Sequence, residues 1–161
     1  KYKISYFSGY LKDVSKRISD CLKLHSQEYD SFIRISADSP LLDINLLDKM
    51  ISIFNKNDCE ILTNVFPRSF PKGQSVEIIN KKVFLKHETK FKSPSDKEHV
   101  TKYFYENSSK YDIGNLTLAQ NYSHLNFSVD NLSDYNKIVK ICNDFNSRKI
   151  GINLKNLIKY A

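Results

Sequence analysis

The sequence predicts an α/β protein built on a mainly parallel sheet with helices packed against it. Three observations predict it. Strand-like and helix-like segments alternate through the first 66 residues in a β-α-β-α-β run. The segments between strands are long enough to be helical crossovers, which parallel neighbours require. Finally, 161 residues that are 40% hydrophobic and 12% aromatic can build one ordinary core but not two independent ones. A single domain over residues 1–161 is the expectation.

The elements follow in order. "KISYFS", residues 3–8, reads as a short strand. Residues 11–25 carry Leu11, Val14, Ile18, Cys21, Leu22 and His25 near helical spacing. "SFIRIS" is the next strand, Leu46, Leu47, Met50, Ile51 and Phe54 mark a second helix, and "EILTNVF", residues 60–66, is a third strand. The second half is more mixed. "PKGQSVEIIN" reads as turn and strand, 81–90 and 95–107 as helices, "IGNLTL" and "HLNFSV" as strands, and 133–146 as a closing amphipathic helix with Ser133 as its N-cap and Tyr135, Ile138, Val139 and Cys142 on its apolar face.

Several function classes fall away on composition. No stretch approaches the roughly 20 apolar residues of a membrane span, and the first ten residues lack the apolar core and cleavage site of a signal peptide, so a soluble cytoplasmic protein is expected. Cys21, Cys59 and Cys142 have no close spacing and apolar neighbours, which suits core side chains in a reducing compartment rather than a disulfide framework or zinc site. The net charge of +7 favours a phosphate-bearing partner weakly. Its lysines are scattered, with no basic run and no reading helix, which argues against nucleic acid.

Two segments carry acids where strands are expected to end. In "RISADSPLLD" the strand turns polar at Ser36, reaches Asp38 and breaks at Pro40; alone, this is ordinary Asp-Ser-Pro turn chemistry. "NFSVDNLSDY" repeats the arrangement with Asp130. Ligands of open α/β sheets sit outside the carboxyl ends of the strands. Two carboxylates delivered there from separate strands are a common way to hold Mg²⁺, which takes hard oxygen ligands and keeps waters and phosphates in its other positions. Asp134 reads as a first-turn acid favoured by the helix dipole.

Other polar positions carry paired readings. Arg34 points at a phosphate or at a helix carboxylate, with a structural ion pair the simpler account. Asn64 is a strand-end amide or a ligand contact. Arg68 and Lys72 lie in a loop whose prolines and glycine set turns, beside a strand end where substrate contact is open. His99 is a general base, an acceptor contact or a satisfied core histidine, and no catalytic residue is assigned.

"FIRISADSPLLD", "TNVFPRSFPKGQSVEII", "KEHVTKYFYEN" and "FSVDNLSDY", in that order, resemble the cytidylyltransferases of the spore-coat polysaccharide type, relatives of the enzymes that make CMP-sialic acid and CMP-3-deoxy-manno-octulosonate. The resemblance spans residues 4–145. It implies a three-layer nucleotide-diphospho-sugar transferase fold and transfer of a cytidylyl group from CTP to a sugar acid or related alcohol, with release of pyrophosphate, in surface polysaccharide or glycan biosynthesis. It implies Mg²⁺ as cofactor, held by Asp38 and Asp130. Arg34, Asn64, Arg68, Glu77 and His99 become substrate-binding candidates, Glu77 because it stands at the family's strand acid. A homodimer is in keeping with such relatives. Gln74 and Ser75 depart from the family, which carries an acid after the glycine, and this leaves the acceptor open.

The family opens with a strand and a loop rich in Arg, Ser, Gly and Lys that wraps the triphosphate, and nothing of that kind precedes "KYKISYFSGY". The expectation is therefore an N-terminally truncated domain, the C-terminal two thirds, that binds CTP poorly by itself. A non-catalytic sugar- or nucleotide-binding module of the same fold is the alternative reading.

Overall fold

The structure, a computed structural model, describes residues 4–25 and 29–161. Its helices are α1 (Val14–Leu24), α2 (Ile44–Phe54), α3 (Lys81–His87), α4 (Pro94–Glu98), α5 (Lys102–Glu106), α6 (Leu132–Ser147) and α7 (Leu154–Tyr160). Its strands are β1 (Ser31–Arg34), β2 (Ile61–Thr63), β3 (Glu77–Asn80) and β4 (Ile113–Asn115), in the sheet order β1-β3-β2-β4. The pair β2 and β4 is parallel, with Ile61 opposite Ile113 and Thr63 opposite Asn115. The class is α/β, as expected.

The chain divides into two compact units, residues 1–32 with 79–112 and residues 33–78 with 113–161. The first is organised around aromatic rings. Phe84 and Phe104 are fully buried and Phe91 nearly so. Phe32 meets Phe84 edge-on at 5.2 Å, Phe104 meets Tyr111 at 4.9 Å, and Phe91 meets Phe104 at 5.7 Å. These are T-shaped geometries, which ring quadrupoles favour. Beside them, α1 is capped by the Asp13 carboxylate, which accepts from the Lys16 amide. Its fully buried residues are Ser15 and Ser19; of the apolar positions expected, Val14, Ile18, Cys21 and Leu22 are half-buried and Leu11 is exposed. The Ser15 hydroxyl reaches the carbonyls of Asp96 and Lys97 at 3.0 and 3.2 Å, so a polar contact to α4 sets that face.

In the second unit, two apolar clusters flank the backbone that carries the acids. Leu41, Phe127, Ile138, Ile141, Phe145 and Leu157 form one. Three of these recur along α6 at positions i, i+3 and i+7, the stripe an amphipathic helix buries. Leu46, Met50, Leu62, Phe70, Val76 and Ile78 form the other. The half-buried cysteines pack as small side chains.

Five expectations of local structure fail. Residues 4–10 form neither helix nor strand, and no strand among the described residues pairs with them; a strand without a ladder partner is not stable. Lys3 lies outside the described residues. The helix expected over 95–107 splits into α4 and α5, because His99 leaves helical space at φ −97°, ψ 76° and the chain buries Val100 completely in the break. "HLNFSV" makes a single bridge, Lys72 to Asn126, instead of a strand. A seventh helix, α7, follows the helix expected to close the chain. The cap of α6 is Asn131, two residues ahead of Ser133, its side chain accepting from the Asp134 amide at 3.1 Å.

Among the described residues no helix is long and apolar enough to cross a membrane.

Candidate functional site

Asp38 stands in the turn that follows β1, and Asp130 closes an extended segment that enters α6. Both are exposed. The two segments touch through the main chain, where the Val129 amide donates to the Asp38 carbonyl at 2.9 Å. One residue on from that bond is Asp130. The expectation of acids at two strand ends fails: Asp38 lies in a turn beyond β1, and no strand leads to Asp130, because the ladder groups of 125–129 are spent on a loop and a turn.

Each acid is held locally. The Ser39 hydroxyl donates to Asp38 Oδ1 at 2.8 Å. The Ser128 hydroxyl donates to Asn126 Oδ1 at 2.7 Å and lies 3.4 Å from Asp130 Oδ2. Asn126 Oδ1 also accepts from the Ser128 amide at 2.9 Å, an Asx turn that fixes the chain two residues ahead of the acid. Asp134 Oδ2 accepts from the Asp130 amide at 3.1 Å, so Asp134 serves the entry to the helix, as its position in the first turn suggested.

A third segment, residues 71–76, lies against the 125–128 stretch. The Lys72 amide donates to the Leu125 carbonyl and the Lys72 carbonyl accepts from the Phe127 amide, both at 2.9 Å. Gly73 makes that approach feasible. Its φ is +85°, and a Cβ there would lie 2.6 Å from the carbonyl carbon and oxygen of Phe127. Fully buried Asn64 closes the far side: its Nδ2 donates to the Gln74 carbonyl at 2.7 Å and its Oδ1 accepts from the Val76 amide at 2.9 Å. The Asn64 amide is therefore engaged with this loop. Arg68 Nη2 donates to the Ser75 hydroxyl at 3.1 Å across the same loop.

Arg34 and Glu77 come together as an ion pair between neighbouring strands, with Glu77 almost wholly buried. The structural ion pair expected for Arg34 is observed, but its partner is the strand acid Glu77 and not a helix carboxylate. His99 belongs to the first unit, where it is exposed and ends α4 with its amide donating to the Ser95 carbonyl at 2.8 Å.

The donors on the two acid segments are carboxylates and hydroxyls, hard oxygens of the kind Mg²⁺ takes. Among the described residues no cluster of three or more His, Cys, Asp or Glu is placed to hold a metal. A cation between these segments would rest on two carboxylates and retain waters, which is how Mg²⁺ usually binds.

Sequence reasoning missed Gln74 and Asp43, both buried. Asp43 Oδ1 caps α2 through the Asn45 amide at 2.9 Å, and its Oδ2 accepts from the Leu154 amide, the first of α7, at 2.8 Å. The Asp-Ile-Asn pattern at a helix start was the available signal for the first of these roles. Nothing local in the sequence announces the second.

No protein-family model matches the chain. It is 24% identical over 159 residues to an uncharacterized protein of Methanocaldococcus jannaschii, with 98% of this chain and 63% of that protein aligned. A solved structure of a cytidylyltransferase from Leptospira borgpetersenii serovar Hardjo-bovis superposes with a TM-score of 0.75 at 30% identity, covering 80% of this chain and 54% of that one. The chain thus spans under two thirds of the length of each. Its α/β fold matches that of a cytidylyltransferase.

Proposed function

We propose that this chain forms the metal-binding part of a cytidylyltransferase that transfers a cytidylyl group from CTP to a sugar acid or related alcohol and releases pyrophosphate. One observation carries the reading: in a fold that overlays a cytidylyltransferase, the Val129 to Asp38 hydrogen bond of 2.9 Å joins the two segments that bear Asp38 and Asp130. In this proposal Asp38 and Asp130 hold Mg²⁺. The ion, when bound, neutralises charge that grows on the phosphoryl oxygens and the leaving pyrophosphate. The chain's own residues hold the acids apart from the core and fix their backbone, so that the charges are in place before substrate arrives. Half-buried Arg68 is a substrate-contact candidate beside the acid-bearing segments; His99, expected as another, is exposed in the first unit. Arg34, Asn64 and Glu77 support the site through the contacts described. The product class would suit surface polysaccharide or glycan biosynthesis.

The test uses the full-length protein that contains this chain. Pyrophosphate release from CTP should require Mg²⁺ and a sugar acid or related alcohol, with cytosine preferred over purines. Asp130→Asn should keep the fold and lose about 10²-fold or more in turnover, the scale of a removed electrostatic stabiliser. Asp134→Asn should lose far less, since that carboxylate is occupied at the helix entry. Equal losses would reassign the ligands. CTP binding without any pyrophosphate release would instead favour a non-catalytic binding module.

A further inference from the structure

Gln74 is fully buried, and its side-chain amide bonds main-chain groups. Its Oε1 accepts from the Asp43 amide at 3.0 Å and its Nε2 donates to the Leu41 carbonyl at 2.7 Å. Both partners are main-chain groups at the end of the turn that begins with Asp38. Two residues earlier, Lys72 holds the Leu125 and Phe127 main chain. The tripeptide Lys72-Gly73-Gln74 therefore grips both acid-bearing segments at once, one with backbone and the other with an amide.

A primary amide suits this task. It offers one acceptor and one donor in a fixed plane, the complement of a main-chain N–H and C=O two residues apart. An apolar side chain would leave both buried main-chain groups unpaired, and such groups are costly to leave unmade. Asn64 fixes the Gln74 carbonyl and the Val76 amide, so the amide plane is supported from behind. Positioning groups act through supports of this sort.

We infer that Gln74 is a positioning residue that sets the Asp38 turn against the Asp130 segment and thereby the spacing of the two carboxylates toward a divalent cation. The inference rests on the cation reading proposed above. It makes the loop after Gly73 part of the metal site without placing any atom of it on the metal.

The experiment compares the full-length protein with its Gln74→Met, Gln74→Glu and Asp130→Asn variants. Amide hydrogen exchange is read on peptides covering residues 125–131 and 132–147, and Mn²⁺ binding is read by electron paramagnetic resonance. Gln74→Met keeps the volume and removes both hydrogen bonds. It should speed exchange in 125–131 by about tenfold, leave 132–147 unchanged and weaken Mn²⁺ by about tenfold. In Gln74→Glu the buried acid, neutral at pH 5, both accepts and donates, so protection of 125–131 relative to wild type should be high at pH 5 and fall at pH 8. Unchanged exchange in 125–131, or equal acceleration in both peptides, overturns the positioning role. Should Gln74→Met fail to fold, a protection ratio in Gln74→Glu that is flat with pH overturns it instead. Mn²⁺ binding lost in Asp130→Asn but intact in Gln74→Met overturns this inference alone; no Mn²⁺ binding in wild type overturns the cation reading, and this inference with it.

Discussion

The aromatic cluster of the first unit and the acid-bearing loops of the second unit solve the same problem of rigidity by opposite means. Around Phe84 and Phe104 the chain is held by ring against ring, with Phe91, Tyr103 and Tyr111 within 4.9 to 5.8 Å of one or both. Around Gln74 it is held by directed hydrogen bonds to main-chain groups that no helix or strand satisfies. Packing tolerates rearrangement among similar shapes, whereas a hydrogen bond to irregular backbone has one solution. A place where charges must be presented at fixed spacing benefits from the second kind of order.

That contrast can be broken most forcefully at Phe104. Phe104→Ala removes a fully buried ring and should cost roughly 3–5 kcal/mol of unfolding free energy, read by urea denaturation. A cost below about 1 kcal/mol would mean that the cluster is loosely packed and that the contrast is overdrawn. The next effect is expected at Gly73. Gly73→Ala forces an L side chain to φ +85° and drives its Cβ into the Phe127 carbonyl. The strain alone is worth on the order of 1–3 kcal/mol. The loss should be local: exchange in 125–131 accelerates and turnover of the full-length protein falls, with a smaller change in global stability than Phe104→Ala produces. Stability reduced without any change in 125–131 would show that the loop adapts as a packed core does.

How much of this was legible in the sequence depends on which kind of order is asked for. Helix α2 follows from Leu46 and Met50, because one-sided burial imposes a period that can be read locally. In α6 the expected face of Tyr135, Ile138, Val139 and Cys142 is only partly the buried one: Ile138 is buried and Cys142 half-buried, but Tyr135 and Val139 are exposed, and Ile141 and Phe145 complete the stripe. Strand β1 was legible as "SFIRIS", though it ends at Arg34. The aromatic segment 95–107 was recognised as helical and as a packing face, but not its break at Val100, which depends on burial from elsewhere in the unit. The segment 124–129 read as a strand because Phe127 and Val129 alternate with polar residues. Its hydrogen-bond partners are a loop 50 residues away and the Asp38 turn, and periodicity holds no information about them. For the candidate site, the acids Asp38 and Asp130 stood out as residue types at segment ends. The Gln74 amide did not, since a glutamine's role is set entirely by what surrounds it.

The smallest expected effect sharpens the contrast on the first unit's polar side. In α4 the Ser93 hydroxyl accepts from the Asp96 amide at 3.0 Å and the Asp96 carboxylate accepts from the Ser93 amide at 3.1 Å. The hydrogen bonds from Ser93 hold the Asp96 carboxyl below its ordinary range, with Lys102 adding to the effect. A depressed folded-state value stabilises above the unfolded value, about 3.9, and that contribution is lost as pH falls through the lower folded value. Acidification from pH 5 to pH 2 should therefore fray α4 slightly, seen as faster exchange in residues 93–98, and Asp96→Asn should remove most of that pH dependence. An identical acid response in the variant would assign the change to other carboxylates.

Asp43 has a consequence in time. Its Oδ2 accepts from the Leu154 amide across 111 residues of chain. A ribosome adding about 5–20 residues per second delivers the donor on the order of ten seconds after the acceptor. During that interval the Asn45 amide can already engage Oδ1 at the start of α2, while the Leu154 donor to Oδ2 has yet to arrive. Closing so long a loop is entropically slow and is rewarded only once both ends are ordered. The start of α7 is thus a late docking event, and the carboxylate that receives it acts as a record of whether the nascent chain has been completed that far.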